Sequence, residues 1–148
     1  EDDLQAETLN YYMNNTTLIF NEIGKAEDLF QLLKVMNNWK FAKNMKYCYF
    51  LITCTERHNV GKRTRYVIDK ITKKNKKILN KVAEKHIRKY NINSINIINL
   101  VNYLFNNFIL ISVLYRNKFS ISEITAYKET LFSLVNDITN NKNNNIFN

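Results

Sequence analysis

The sequence predicts an all-α fold, a single bundle of about six helices. The 148 residues include no proline and only two glycines, Gly24 and Gly61, so the chain lacks the residues that most β-turns require. Apolar residues instead recur at steps of three and four along most of the chain, which is the period of an amphipathic helix. This length is ordinary for one domain with its own core. We therefore expect one helical domain over residues 1–140, followed by a frayed, Asn-rich tail over residues 141–148.

The first half of the chain predicts three helices. The first covers about residues 4–23 and is followed by a glycine, which suits a helix C-terminus. The second begins near Ala26, with Glu27 and Asp28 in its first turn, where carboxylates favour the positive end of the helix dipole. The third, "MKYCYFLITCTERH" at 45–58, could be a buried strand by propensity alone. We predict a helix, because no second strand candidate could pair with it.

The second half predicts three longer helices. A basic, amphipathic helix runs from about Lys62 to Tyr90. The stretch "INIINLVNYLFNNFILISVLY" at 95–115 forms the fifth helix, and its apolar residues cover more than half of the circumference, so one neighbour cannot bury them all. The sixth opens with a capping box between Ser120 and Glu123. The inward positions expected in the fourth helix are Val67, Ile71, Asn75, Ile78, Val82 and Ile87.

Several classes of protein are disfavoured by composition. A membrane span is not expected in the fifth helix, since five asparagines interrupt it and a span needs about 20 predominantly apolar residues. Two thiols, Cys48 and Cys54, suggest reduced residues rather than a disulfide scaffold. Their spacing with His58 is no standard zinc pattern, and the chain offers no glycine-rich phosphate loop or nucleophile–base order. We expect a soluble, cytoplasmic protein that is not an enzyme and has no metal or cofactor.

The last three helices, "KRTRYVIDKITKKNKKILNKVAEKHIRKYNI", "NSINIINLVNYLFNNFILISVLYRNKFS" and "ISEITAYKETLFSLVNDI", resemble in length, order and linker size the end of the C-terminal regulatory domain of the TetR family of transcriptional repressors. The resemblance implies a ligand-responsive domain that binds a small effector and forms a homodimer. It also implies that operator DNA is bound by an N-terminal helix-turn-helix domain, which is missing from this sequence.

In that family the last two helices of each subunit form a four-helix bundle with their mates. The resemblance therefore implies a dimer interface on the fifth and sixth helices, and the sixth carries apolar residues at steps of three and four that suit close helix packing. The alternative is that these residues only cover the core of their own subunit. The expected interface residues are Phe108, Ser112, Tyr115, Ile124, Tyr127, Leu131, Leu134 and Ile138.

A cluster of aromatic residues suggests where an effector would bind. Five aromatic residues fall within the twelve positions 39–50, and pockets between helices are usually apolar with a few polar groups that orient the ligand. Such aromatics are also common core residues. We expect an apolar cavity for an apolar or cationic effector, lined by Trp39, Tyr47, Phe50, Tyr66 and Asn102.

The net charge of +9 is unevenly distributed. Residues 1–33 hold one lysine and seven carboxylates, whereas residues 34–89 hold seventeen Lys or Arg and three carboxylates. An AT-rich genome would also produce such a lysine content. Direct nucleic-acid binding by "GKRTR" and "KKNKK" lacks the interleaved aromatics of a single-strand platform, and we expect no sequence-specific duplex binding. The main functional alternative is a helical protein-interaction module, similar to the Bcl-2-like bundles of large DNA viruses.

Overall fold

The computed structural model describes residues 1–37, 49–92 and 94–140. Within this part of the chain every regular element is helical, so the predicted all-α bundle is confirmed. Trp39, Tyr47, Cys48 and the expected tail 141–148 lie outside the described residues. The helices are α1 (Asp2–Gly24), α2 (Leu29–Asn37), α3 (Tyr49–Thr55), α4 (Lys62–Tyr90), α5 (Ser94–Arg116) and α6 (Ile121–Asn140), with a 3₁₀ turn at Arg57–Asn59.

Helix α4 is the centre of the bundle. Helix α1 packs along one side of it and α5 along another, so the buried arc of α4 is wider than one apolar stripe. For this reason the predicted inward set is only partly correct. Ile78 and Ile87 are half-buried, and five residues that we did not expect are buried with the rest. The buried residues of α4 are Thr64, Val67, Ile68, Ile71, Asn75, Leu79, Val82, Ala83 and His86.

Capping interactions set the ends of several helices. The capping box is confirmed, since the Glu123 N–H donates to Ser120 Oγ and the Ser120 N–H donates to Glu123 Oε2, both at 3.2 Å. Helix α2 begins three residues later than predicted, at Leu29. Asp28 precedes this helix rather than lying in its first turn, and its Oδ1 accepts the Gln31 N–H at 2.8 Å. Asp28 is therefore the N-cap of α2.

Helices α5 and α6 close one side of the bundle. Their buried apolar residues join one core with those of α1, α2 and α4. One asparagine of α5, Asn107, is buried at the contact with α6. Its Nδ2 donates to the Tyr103 carbonyl at 2.8 Å, and its Oδ1 accepts the Tyr127 hydroxyl. The nitrogen and the oxygen of the buried amide thus each have a partner, whereas Asn99 and Asn106 are exposed to solvent.

Helix α5 is more apolar than its asparagines suggested. The segment Ile97–Arg116 has a mean hydropathy of 1.7 and is, by length and composition alone, able to cross a membrane. Core helices of soluble proteins pass the same test. In this fold α5 packs against α3, α4 and α6, and its apolar residues at Leu100, Val101 and Leu104 are buried by these neighbours.

Candidate functional site

The predicted effector cavity is not assembled from all of its predicted residues. Phe50 is fully buried and Asn102 is half-buried, on the packed helices α3 and α5. Tyr66, however, has 68% of its surface exposed and does not line a cavity inside the bundle. It precedes the buried Val67 on α4, and one helical residue is a rotation of about 100°, which turns Tyr66 to the solvent side.

The predicted dimer residues divide into two groups. Ile124 and Leu131 are buried in the core of their own chain, as the alternative expects of residues that cover only their own subunit. Tyr115 and Tyr127 are half-buried, and Leu134 is exposed over 38% of its surface. The side chains of Phe108, Ser112 and Ile138 lie outside the described part of the structure.

Helix α5 instead presents a different outward stripe, here called the α5 outer face. Its residues follow one another at steps of four, three, four and three, the spacing of a coiled-coil seam. Tyr103 and Leu110 on this face are 40% and 43% exposed. The face consists of Asn99, Tyr103, Asn106, Leu110 and Val113.

Helix α6 extends the α5 outer face. The Tyr127 hydroxyl donates to Asn107 Oδ1. Burial raises the pKa of Tyr127, and the nearby Tyr103 raises it further. Leu134 lies seven residues after Tyr127 and therefore on the same side of α6. The two helices thus present exposed apolar groups on a shared side of the bundle. The regular spacing of these residues was visible in the sequence, but the sequence did not show that their side chains are exposed.

A second surface is a row of cations on α4, here called the α4 basic face. Six Lys or Arg side chains are exposed and form no ion pair with any described residue. At about 100° per residue, all of them fall within roughly 60° of one line along the helix. At about 1.5 Å per residue the row is roughly 27 Å long. The face consists of Lys70, Lys73, Lys74, Lys77, Lys81 and Arg88.

Two arginines near the start of α4, in contrast to this row, are paired with carboxylates. The Arg63 guanidinium pairs with the carboxylates of Asp3 at 2.8 Å and Glu7 at 3.9 Å, both from α1. Arg57 pairs with Asp69 at 2.7 Å. These ion pairs raise the pKa values of both arginines, chiefly through the hydrogen bonds with Asp3 and Asp69. The acidic N-terminal segment therefore places its carboxylates at one end of the basic helix, away from the α4 basic face.

A buried polar cluster joins the α1–α2 turn to the end of α4. Asp28 accepts hydrogen bonds from Lys89 Nζ at 2.8 Å and from the Tyr90 hydroxyl at 3.2 Å. Burial raises the pKa of Asp28, but its hydrogen bonds with Lys89, Gln31 and Tyr90 outweigh burial and hold this pKa below its ordinary value. The Asp28 carboxylate thus remains charged and links α2 to α4.

His86 completes this cluster and is fully buried. Its Nδ1 accepts the Leu29 N–H at 3.1 Å, so the neutral ring carries its proton on Nε2, which has no hydrogen-bond partner among the described residues. Burial lowers the pKa of His86; Asp28 opposes this effect and Lys89 adds to it. The ring is packed against Phe30 and Tyr90 and is closed to solvent, so it contributes to the packing of α2 on the end of α4.

Metal-binding groups and enclosed pockets give less support for a functional site than the two surfaces described above. No group of three or more His, Cys, Asp or Glu is placed to hold a metal ion within the described ranges. An open groove runs along the outer side of α6 between Thr125 and Asp137, with Lys128 and Phe132 half-buried in it. Burial lowers the pKa of Lys128. The groove is lined by one helix and is too open to enclose a small ligand.

No protein-family model matches this chain, and comparisons with curated proteins and with solved structures give no match either. The resemblance to the TetR family therefore stays a prediction. Function has to be inferred from the two exposed surfaces, the α5 outer face and the α4 basic face.

Proposed function

We propose that this chain is a non-catalytic helical binding domain that works as a homodimer through α5 and α6. The regulatory role expected from the TetR-like order of helices is part of this proposal, because such a domain would transmit its state through the same two helices. The observation that carries the proposal is the α5 outer face, whose half-exposed apolar residues alternate with asparagines at coiled-coil spacing.

The spacing matters more than the exposure. Single exposed apolar side chains are common on soluble proteins and need no partner. On α5, however, Tyr103 and Leu110 lie one above the other along the helix and are separated by Asn106. In helix pairs an asparagine at such a position bonds to its mate and fixes the register. A two-fold axis parallel to α5 would bring each of these residues close to a copy of itself.

The size of the surface is sufficient for a dimer. Helix α5 has 23 residues, which makes it about 35 Å long. Two neighbouring helices of this length offer a face of roughly 700 Å², close to the ~800 Å² per partner of a standard interface. Effector binding has less support than dimerisation, because Phe50 and Asn102 alone remain as described lining residues of the expected cavity.

The test is the oligomeric state of the chain and of a Leu110→Glu variant, measured by sedimentation equilibrium. The native chain is expected to be a dimer at micromolar concentration. Each lost Leu110 contact removes about 1 kcal/mol of apolar burial, and the two-fold axis doubles this loss, so the dissociation constant should rise at least ~30-fold. Circular dichroism should stay native, since Leu110 is 43% exposed in the single chain.

Two control variants separate dissociation from unfolding. Ile121→Glu places the same charge on an apolar residue that is 74% exposed and lies off the shared face, and it should leave the dimer intact. Leu131→Glu should unfold the chain rather than dissociate it, because Leu131 is in the core. A native chain that remains monomeric at high micromolar concentration would reject the homodimer and favour the interaction-module alternative, in which a different protein covers this face.

A further inference from the structure

We propose that the α4 basic face binds the phosphate backbone of duplex nucleic acid without reading the base sequence. This proposal goes beyond dimerisation and does not depend on it. It also differs from operator recognition by a helix-turn-helix domain, since the contact uses a long helix of the bundle itself. The structure contributes what the sequence could not show, namely which cations remain unpaired and how they are aligned.

The first argument is that the positive charges of the α4 basic face are not balanced by carboxylates of the described residues. Arg63 at the start of α4 is paired with carboxylates of α1, but Lys70, Lys73, Lys77 and Lys81 are exposed and have no carboxylate partner among the described residues. Glu84 is the one exposed carboxylate on this line of the helix. Like charges at three- and four-residue spacing destabilise an isolated helix. An anionic partner that covers the face would remove this repulsion.

The second argument is shape. Helix α4 is one continuous helix from Lys62 to Tyr90, and packing on α1 and α5 holds it against the bundle. Its basic face is therefore a rigid row of cations. Duplex nucleic acid carries about one negative charge per 1.7 Å of its axis, so a row of roughly 27 Å can meet several phosphates at once. The charge and the linear shape of the two surfaces are complementary.

Other anionic partners fit less well. A helix that lies on a lipid surface inserts an apolar side, whereas the apolar side of α4 is buried inside the bundle at Val67, Ile71 and Leu79. Single-stranded nucleic acid is usually held by several stacking aromatics, and Tyr66 is the exposed aromatic of α4. The duplex backbone requires only the aligned cations that α4 provides.

The expected binding depends steeply on salt. Each phosphate contact contributes about −0.9 to the slope of the logarithm of the binding constant against the logarithm of salt concentration. Contacts by six cations give a slope of about −5, so affinity should fall roughly a thousandfold between 50 and 200 mM salt. Two duplexes of unrelated sequence should bind equally well.

The experiment compares two double variants of the full chain by fluorescence anisotropy with a labelled duplex of about 20 base pairs at several salt concentrations. Lys73→Gln with Lys77→Gln removes two charges from the face and should reduce the slope by about 2. Lys34→Gln with Lys118→Asn removes the same charge from exposed residues outside α4. Asn suits the left-handed backbone at position 118, where φ is 59°. This control should keep the native slope.

Several outcomes would overturn the proposal. Equal losses in the two double variants would show that net charge, rather than this face, attracts the duplex. No binding by the native chain at 50 mM salt would reject nucleic acid as the partner. Tighter binding to phosphatidylserine vesicles or to poly-glutamate than to the duplex would assign the face to a membrane or to an acidic protein. A difference between the two duplex sequences would contradict backbone-only contact.

Discussion

Replacement of Asp28 by alanine should strongly destabilise the fold. Asp28 is buried, with 3% of its surface exposed, and its side chain caps α2 by accepting the Gln31 N–H. It also accepts hydrogen bonds from Lys89 and Tyr90 at the far end of α4. The substitution therefore removes a helix cap and a link between α2 and α4 at the same time.

The magnitude follows from these separate contacts. Loss of an N-cap costs about 1 kcal/mol. The Tyr90 hydrogen bond contributes about 1 kcal/mol, and the Lys89 ion pair at most ~1 kcal/mol, because Lys89 is half exposed. The free energy of unfolding of the Asp28→Ala variant should thus fall by about 2–3 kcal/mol. For a domain of this size such a loss lowers the melting temperature by roughly 5–10 °C.

Urea unfolding followed by circular dichroism measures this loss, with two further variants as controls. Asp28→Asn keeps a capping side chain and should lose only about half as much stability as Asp28→Ala. Glu27→Ala removes a neighbouring exposed carboxylate that makes no side-chain contact with described residues and should change stability by less than about 0.5 kcal/mol. If Asp28→Ala is no worse than Glu27→Ala, the inferred link between α2 and α4 does not stabilise the fold.

Two further predictions concern acidity and the start of α4. Burial lowers the pKa of His86 below its ordinary value of 6.5. The neutral buried ring therefore contributes fully to stability above pH 6.5, and this contribution is lost as the pH falls below 6.5, because the unfolded chain then binds a proton more readily than the folded chain. The urea concentration at the unfolding midpoint should therefore decrease as the pH is lowered from 7.5 to 5.5. The His86→Gln variant should show a weaker dependence of this midpoint on pH, whereas His58→Gln, at an exposed site, should keep the native dependence. Gly61→Ala should lower the melting temperature, because a Cβ at Gly61 would overlap the Asp2 carboxyl group. Asp2→Ala should have a similar effect, and the double variant should be little worse than either single variant, whereas additive losses would show that the two residues act separately.

Local chemistry made much of the helical framework predictable. The bounds of α4, Lys62–Tyr90, agree with the prediction, because one amphipathic period runs without a break between Gly61 and the left-handed Asn91. The capping box at Ser120 was equally local. The start of α2 was missed because carboxylates suit both the position before a helix and its first turn. Only the bond from the Gln31 N–H to Asp28 distinguishes the two.

The candidate surfaces depended on information that is not local. Sequence spacing identified Leu131 and Leu134 as one seam, but packing of α6 on α5 and α2 buries Leu131 and leaves Leu134 exposed. Tyr66 was expected in a cavity and lies in solvent. Helical periodicity defines which residues share a side, whereas the position of neighbouring helices decides which side is covered.

The sequence by itself determined that this chain is helical, where its long helices run, and that α4 carries most of its positive charge. These properties depend on residue types and on spacings of three and four. Only the tertiary structure decided which charges are used. Asp2 caps α4 from across the chain by accepting the Arg63 and Thr64 N–H groups, both at 2.9 Å, and Asp3 pairs with Arg63. Lys70, Lys73, Lys77 and Lys81 further along α4 have no carboxylate partner among the described residues, because α1 brings its carboxylates only to one end of the helix.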